Sequence, residues 1–153
     1  MALRWCHGAS GILVLLSTYT RRTTTPIPHL RSSISKAASV VYHHGLLRKG
    51  LGICHGIAGS VYALLAASAA FHALGDTQQE EKAFGRAVHL ALLTTSYEQF
   101  ERDGEMRVPD REVSLYEGLA GMCCAWKAAL ALLSGDKEAG GVPGFSEEFL
   151  FVK

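Results

Sequence analysis

At 153 residues, 48% apolar and a formal charge of +1, the chain is long enough for one domain with a real core and lacks the basic excess of a nucleic-acid binder. The charge is uneven: all fourteen acidic residues lie from Asp76 onward, while the first 75 positions carry only Arg4, Arg21, Arg22, Arg31, Lys36, Arg48 and Lys49. An acid-free start rich in Arg, Ser and Thr admits a transit peptide, or a signal peptide with residues 11–16 as its apolar core. That run is short and no small-x-small site closes it, so a folded role is the expectation.

Taken in chain order, residues 10–20 read as a first apolar helix. The stretch 21–28 (RRTTTPIP) is a connection, after which Ser32 or Ser33 caps a helix running to about Tyr42 and ended by His43-His44-Gly45. Its Ile34, Ala37, Ala38, Val40 and Val41 form a modest amphipathic face suited to an outer layer. The helix expected over 58–74 is almost wholly apolar, with many alanines. A membrane span is the rival reading, weakened by Ser60, Ser68 and His72 and by the missing basic flank after Gly75. Asp76-Thr77 opens a charged helix over about 78–100, with Phe84, Val88, Ala91 and Leu92 inward. Residues 101–113 are a polar loop, and 116–134 form a further apolar helix. The tail, with Gly140, Gly141, Pro143 and Gly144, is a turn-rich closure where Phe149, Leu150 and Phe151 can pack. The predicted order is therefore inner, outer, inner, outer, inner.

Glycine punctuation ties the inner helices together. Cys6-His7-Gly8-Ala9-Ser10-Gly11 lines up with Cys54-His55-Gly56-Ile57-Ala58-Gly59 and with Tyr116-Glu117-Gly118-Leu119-Ala120-Gly121 at spacings of 48 and 62 residues, the mark of a repeat architecture. The first two copies put a thiol and an imidazole at a helix mouth, where the helix dipole is expected to favour the thiolate of Cys54. Each residue also has a plainer reading: a lone Cys on an apolar helix packs in the core, and a lone His hydrogen-bonds locally. Four cysteines fit a reduced compartment, and the adjacent pair Cys123 and Cys124 does not bridge; in a secreted protein Cys6 and Cys54 would be the pair to suspect.

Trp5-Cys6-His7-Gly8, then Lys49-Gly50-Leu51-Gly52-Ile53-Cys54-His55-Gly56, then Arg107-Val108-Pro109-Asp110 with Ser114-Leu115-Tyr116-Glu117-Gly118, resemble the successive C-terminal signatures of lanthionine synthetase C-like proteins. The resemblance implies an all-α fold, residues 1–153 being the C-terminal part of an α/α toroid of alternating inner and outer helices. Three inner helices cannot close a ring, so apolar faces are expected to lie open where further repeats, supplied by upstream sequence, would cover them. It implies Zn2+ as cofactor, held by Cys6, Cys54 and His55 with one position open, and His7 at most orienting the site. Lys49 and Arg107 match positions resembling contacts to glutathione carboxylates, with a solvated loop charge as the plain alternative. Glu117 is read as hydrogen-bonding to a helix N-terminus.

The implied reaction is addition of glutathione, or of a peptide cysteine, to dehydroalanine or dehydrobutyrine, giving a thioether. The family's acid/base His and Asp lie upstream of the first zinc-binding Cys, so no catalytic acid is assigned; zinc loading of this chain alone is expected to be incomplete and the chain inactive. The alternative is a non-catalytic zinc- or glutathione-binding helical repeat scaffold. Partners are glutathione or a dehydroamino-acid peptide, with no nucleic acid. The expected location is cytoplasmic, with peripheral association at the plasma membrane as an alternative.

Overall fold

A computed structural model describes Cys6, residues 8–25, residues 27–136 and Pro143. The aromatic tail around Phe149 and the ring of His7 lie outside those residues. The described chain is helical throughout, without strands: α1 (Ala9–Arg22), α2 (Leu30–His44), α3 (Ile57–Ala73), α4 (Thr77–Leu93), a 3-10 turn (Thr94–Ser96), α5 (Tyr97–Arg102) and α6 (Leu119–Leu133).

The three inner helices begin alike. Gly8, Gly56 and Gly118 are their N-caps, all in extended backbone (φ −146, −118 and −122°) and none aided by a capping side chain. Three residues on, the second glycine of the phrase lies under a carbonyl from the loop just before the helix: a Cβ on Gly59 would strike Ile53 O, and one on Gly121 would strike Leu115 O. In the second and third repeats the phrase is thus first a packing device, letting the loop fold flat over its own helix.

The centre is α3, which packs against α1, α2, α4 and α6. Its Ile57, Val61, Leu64, Leu65 and Phe71 are fully buried, each stabilising by about 1.5–3 kcal/mol relative to exposure. A helix apolar on all sides needs neighbours on all sides. Here they are protein, which resolves the membrane alternative for 58–74. No helix among the described residues is long and apolar enough to cross a membrane.

Aligning the inner helices on their glycine caps shows what each face meets. The fourth and seventh helical positions are exposed in α1 (Ile12 56%, Leu15 67%) but buried in α3 (Ser60, Ala63) and α6 (Met122, Ala125). The fifth and ninth are buried in α1 (Leu13, Ser17) and α3 (Val61, Leu65) but exposed in α6 (Cys123, Lys127). Among the described residues, only α3 has an inner helix on both sides. The architecture is a partial α/α toroid, and the expected open apolar faces are present on α1 and, with Leu130 and Leu133, on α6.

The outer layer follows the sequence with two adjustments. Along α2, Ile34, Ala38 and Val41 are buried and Ala37 and Val40 partly so, but the helix starts earlier, at Leu30, from His29 in left-handed conformation (φ 63°). The helix expected over 78–100 breaks at Thr94–Ser96. Thr94 Oγ1 donates to Ala91 O (2.8 Å) and Thr95 Oγ1 to Leu92 O (2.7 Å), competing for the carbonyls that a continuing α-helix would use. Trp126 Nε1 of α6 also donates to Ala91 O (2.8 Å) and Thr94 Oγ1 (3.2 Å), which draws the break onto the inner layer. The inward stripe of α4 is Ala83, Ala87, Leu90 and Ala91; Phe84 and Val88 are partly buried, and Leu92, expected inward, is 62% exposed. The stripe runs through small residues because α4 lies close against α3.

Candidate metal centre

The loop before α3 does not stand alone. Gly52 N donates to Glu117 O (3.2 Å), Ile53 N to Leu115 O (3.4 Å) and Cys54 N to Tyr116 O (2.9 Å), so the loops entering α3 and α6 are zipped together. Gly50, in left-handed conformation (φ 120°), turns the chain so that its carbonyl accepts from Ile57 N (3.1 Å) at the helix start. A side chain at Gly52 is impossible without movement, because its Cβ would collide with the backbones of Tyr116 and Glu117. The register places Tyr116 and Glu117 in α6's repeat where Cys54 and His55 stand in α3's.

Cys6, immediately before α1, reaches this platform from the other side. Its Sγ lies 4.0 Å from His55 Nε2, and Cys54 Sγ lies 3.8 Å from the same nitrogen. All three donor atoms fall within 4.8 Å of one another. Ligand sulfur and nitrogen on one tetrahedral zinc stand about 3.6 Å apart, given Zn–S near 2.3 Å and Zn–N of about 2.0–2.1 Å. Both sulfur–nitrogen distances are therefore within a few tenths of an ångström of those on a single ion. Cys6 is exposed and the other two are half-buried, which leaves the cluster open on one side.

Without an ion, the electrostatics run against the sequence expectation for Cys54. Burial holds its thiol above the ordinary value, and hydrogen bonding to Cys6 and the charge of Glu117 push it the same way. Desolvation is the largest cause, and the two neighbours add to it. A cation is what would reverse this.

Lys49 and Arg107 are both exposed, on loops that touch: Arg107 N donates to Arg48 O (2.8 Å), and Gly50 lies against Pro109. They flank the wall carrying Cys54. Arg48, not singled out by the sequence, fixes that wall, with Nε donating to Glu105 O (3.1 Å) and Nη2 to Gly104 O (2.9 Å). Glu117 does not cap α6, whose N-terminus has no side-chain acceptor; its own backbone N–H donates to Ser114 Oγ (3.0 Å). Other histidines serve the outer layer. His72 Nδ1 lies 3.0 Å from Glu80 Oε1, and His89 Nδ1 is 3.0 Å from Tyr42 OH, whose ring lies 4.9 Å from the Arg86 guanidinium carbon.

Alternating helical layers with two thiols and an imidazole gathered at the mouths of the inner helices define a helical-repeat protein with a candidate metal centre. A family model described as lanthionine synthetase C-like protein matches residues 2–145, and the chain belongs to that family. Glutathione S-transferase LANCL1 of Danio rerio is 32% identical over 121 residues, 79% of this chain and 27% of that protein. LanC-like protein GCL1 of Arabidopsis thaliana is 30% identical over 132 residues, 81% of this chain and 27% of that protein. The chain thus spans about a quarter of the length of these curated relatives. No solved structure matches it.

Proposed function

We propose that the chain holds one zinc ion on Cys6, Cys54 and His55 and presents a thiol, of glutathione or of a peptide cysteine, for addition to dehydroalanine or dehydrobutyrine. The observation that carries this is the convergence of three donor atoms within 4.8 Å from two separate repeats. Zinc, when bound, supplies a Lewis acid with a vacant position, at which a thiol loses its proton near neutral pH. The chain's own part is to hold and orient. The glycine-paired loops fix Cys54 and His55, α1 brings Cys6, and the exposed Lys49 and Arg107 offer charge to substrate carboxylates, Arg in bidentate form. A relative named as a glutathione S-transferase supports glutathione as the thiol.

A second reading, a zinc- or glutathione-binding helical scaffold without catalysis, is favoured by one observation: among the described residues no further His or Asp joins the cluster to protonate the adduct. Zinc analysis of the purified chain and of Cys54→Ala tests the centre. Metal bound by the wild-type chain, even below one ion per chain, and lost in the variant is expected; equal metal in both refutes it. Glutathione addition to a dehydroalanine peptide, followed by mass spectrometry, separates enzyme from scaffold.

A further inference from the structure

Glu117 has no role in the scheme above, yet it occupies a defined place beside it. It stands in the third repeat where His55 stands in the second, each just before an extended glycine cap of nearly the same conformation (φ −122, ψ −158° against φ −118, ψ −173°). The zipped loops fix its distance from the centre, since Glu117 O accepts from Gly52 N and the preceding Tyr116 O accepts from Cys54 N. Its carboxylate makes no hydrogen bond or ion pair among the described residues, and it is half-buried.

A carboxylate is an odd neighbour for a site that gathers thiolates. Two cysteine sulfurs are balanced by a divalent ion, but a third thiolate arriving beside Glu117 adds one uncompensated negative charge to another, and like charges at close range are costly in a half-buried site. The arrangement becomes favourable if the incoming thiol brings its own cation. We propose that Glu117 is a specificity residue that receives the ammonium of a thiol substrate carrying a free α-amino group. Lys49 and Arg107 on the adjoining loops would take its carboxylates, so the site as a whole is complementary to a zwitterionic thiol. This deepens the metal-centre reading and rests on it.

The experiment compares glutathione with its deaminated analogue, the same tripeptide thiol lacking the γ-glutamyl amino group, by titration calorimetry on the full chain, with zinc measured in the same samples. Wild type is expected to bind glutathione about tenfold tighter than the analogue, as for one charge-assisted hydrogen bond. Glu117→Gln should erase that preference by weakening glutathione alone, with zinc content unchanged, and Glu117→Asp should restore part of it. A zinc-loaded wild type that binds both thiols equally overturns the inference and leaves the metal centre standing, as does a Glu117→Gln variant that keeps the preference. A chain that takes up neither zinc nor thiol overturns both.

Discussion

The same substitution, glycine to alanine, should have opposite effects at two places in this chain. Gly85 lies inside α4, exposed, with nothing within 4 Å of where a Cβ would sit. Replacing it removes the entropic cost of a mid-helix glycine and should stabilise by about 0.5–1 kcal/mol. Gly52 is buried, and its backbone is not left-handed, so alanine is not excluded by φ. The cost is collision: the added methyl meets the backbones of Tyr116 and Glu117, which cannot yield without parting the loops. Three inter-loop hydrogen bonds are then at stake, from Gly52 N, Ile53 N and Cys54 N. At about 1 kcal/mol net each, with some relief from partial relaxation, Gly52→Ala should destabilise by about 2–4 kcal/mol. Urea unfolding of the metal-free proteins measures both. The proposed centre adds a second readout, since displacing Cys54 should weaken zinc binding in Gly52→Ala and not in Gly85→Ala. A Gly52→Ala stability within about 0.5 kcal/mol of wild type would refute the claim that the loops are held in this register.

Trp126→Phe removes the donor that serves Ala91 O and Thr94 Oγ1, and should cost about 1–2 kcal/mol in urea unfolding. Leu64→Ala, fully buried in α3, should cost about 2–5 kcal/mol, whereas Leu92→Ala, at a site 62% exposed, should stay within about 0.5 kcal/mol; equal losses would contradict the orientation of α4. The pH dependence follows from Cys54, whose thiol is held above its ordinary value by burial, then by Cys6. The metal-free folded chain therefore binds that proton more tightly than the unfolded chain does. Its contribution is complete below the unfolded thiol pKa and is lost as pH rises through the raised folded value. Unfolding at about pH 7 and about pH 10 should show lower stability at the alkaline end, and the loss should shrink in Cys54→Ser.

The helical layers were legible because each rests on a local signal: all-round apolar character in α3, amphipathic spacing in α2 and α4, glycine before every inner helix. The misses have one cause, competition from partners distant in sequence. Three hydroxyl residues at 94–96 do not announce a break by themselves, but Trp126, 35 positions from Ala91, claims the same carbonyls. Apolarity alone puts Leu92 inward; the small stripe of Ala83, Ala87 and Ala91 takes that side because α4 must approach α3. The Cys54 thiol was read from its own helix end, and its environment is set by Cys6 and Glu117, at separations of 48 and 63 residues.

The candidate centre shows why a repeat can be read from sequence more readily than its chemistry. The glycines are required by the backbone: the extended cap recurs at all three inner helices, and the close approach beneath the preceding loop at α3 and α6, whatever the side chains before it. The two residues preceding each cap are not so constrained, and they differ, Cys-His twice and Tyr-Glu once. Substitutions at the glycines should therefore act on stability, and substitutions at Cys54, His55 or Glu117 on what is bound, with little exchange between the two effects. Because the loops of the second and third repeats are zipped edge to edge, a residue absent from the donor set stands beside the loop that carries two of the donors. A change of side chain in one repeat can thus alter the ligand of its neighbour without disturbing the helices that carry either.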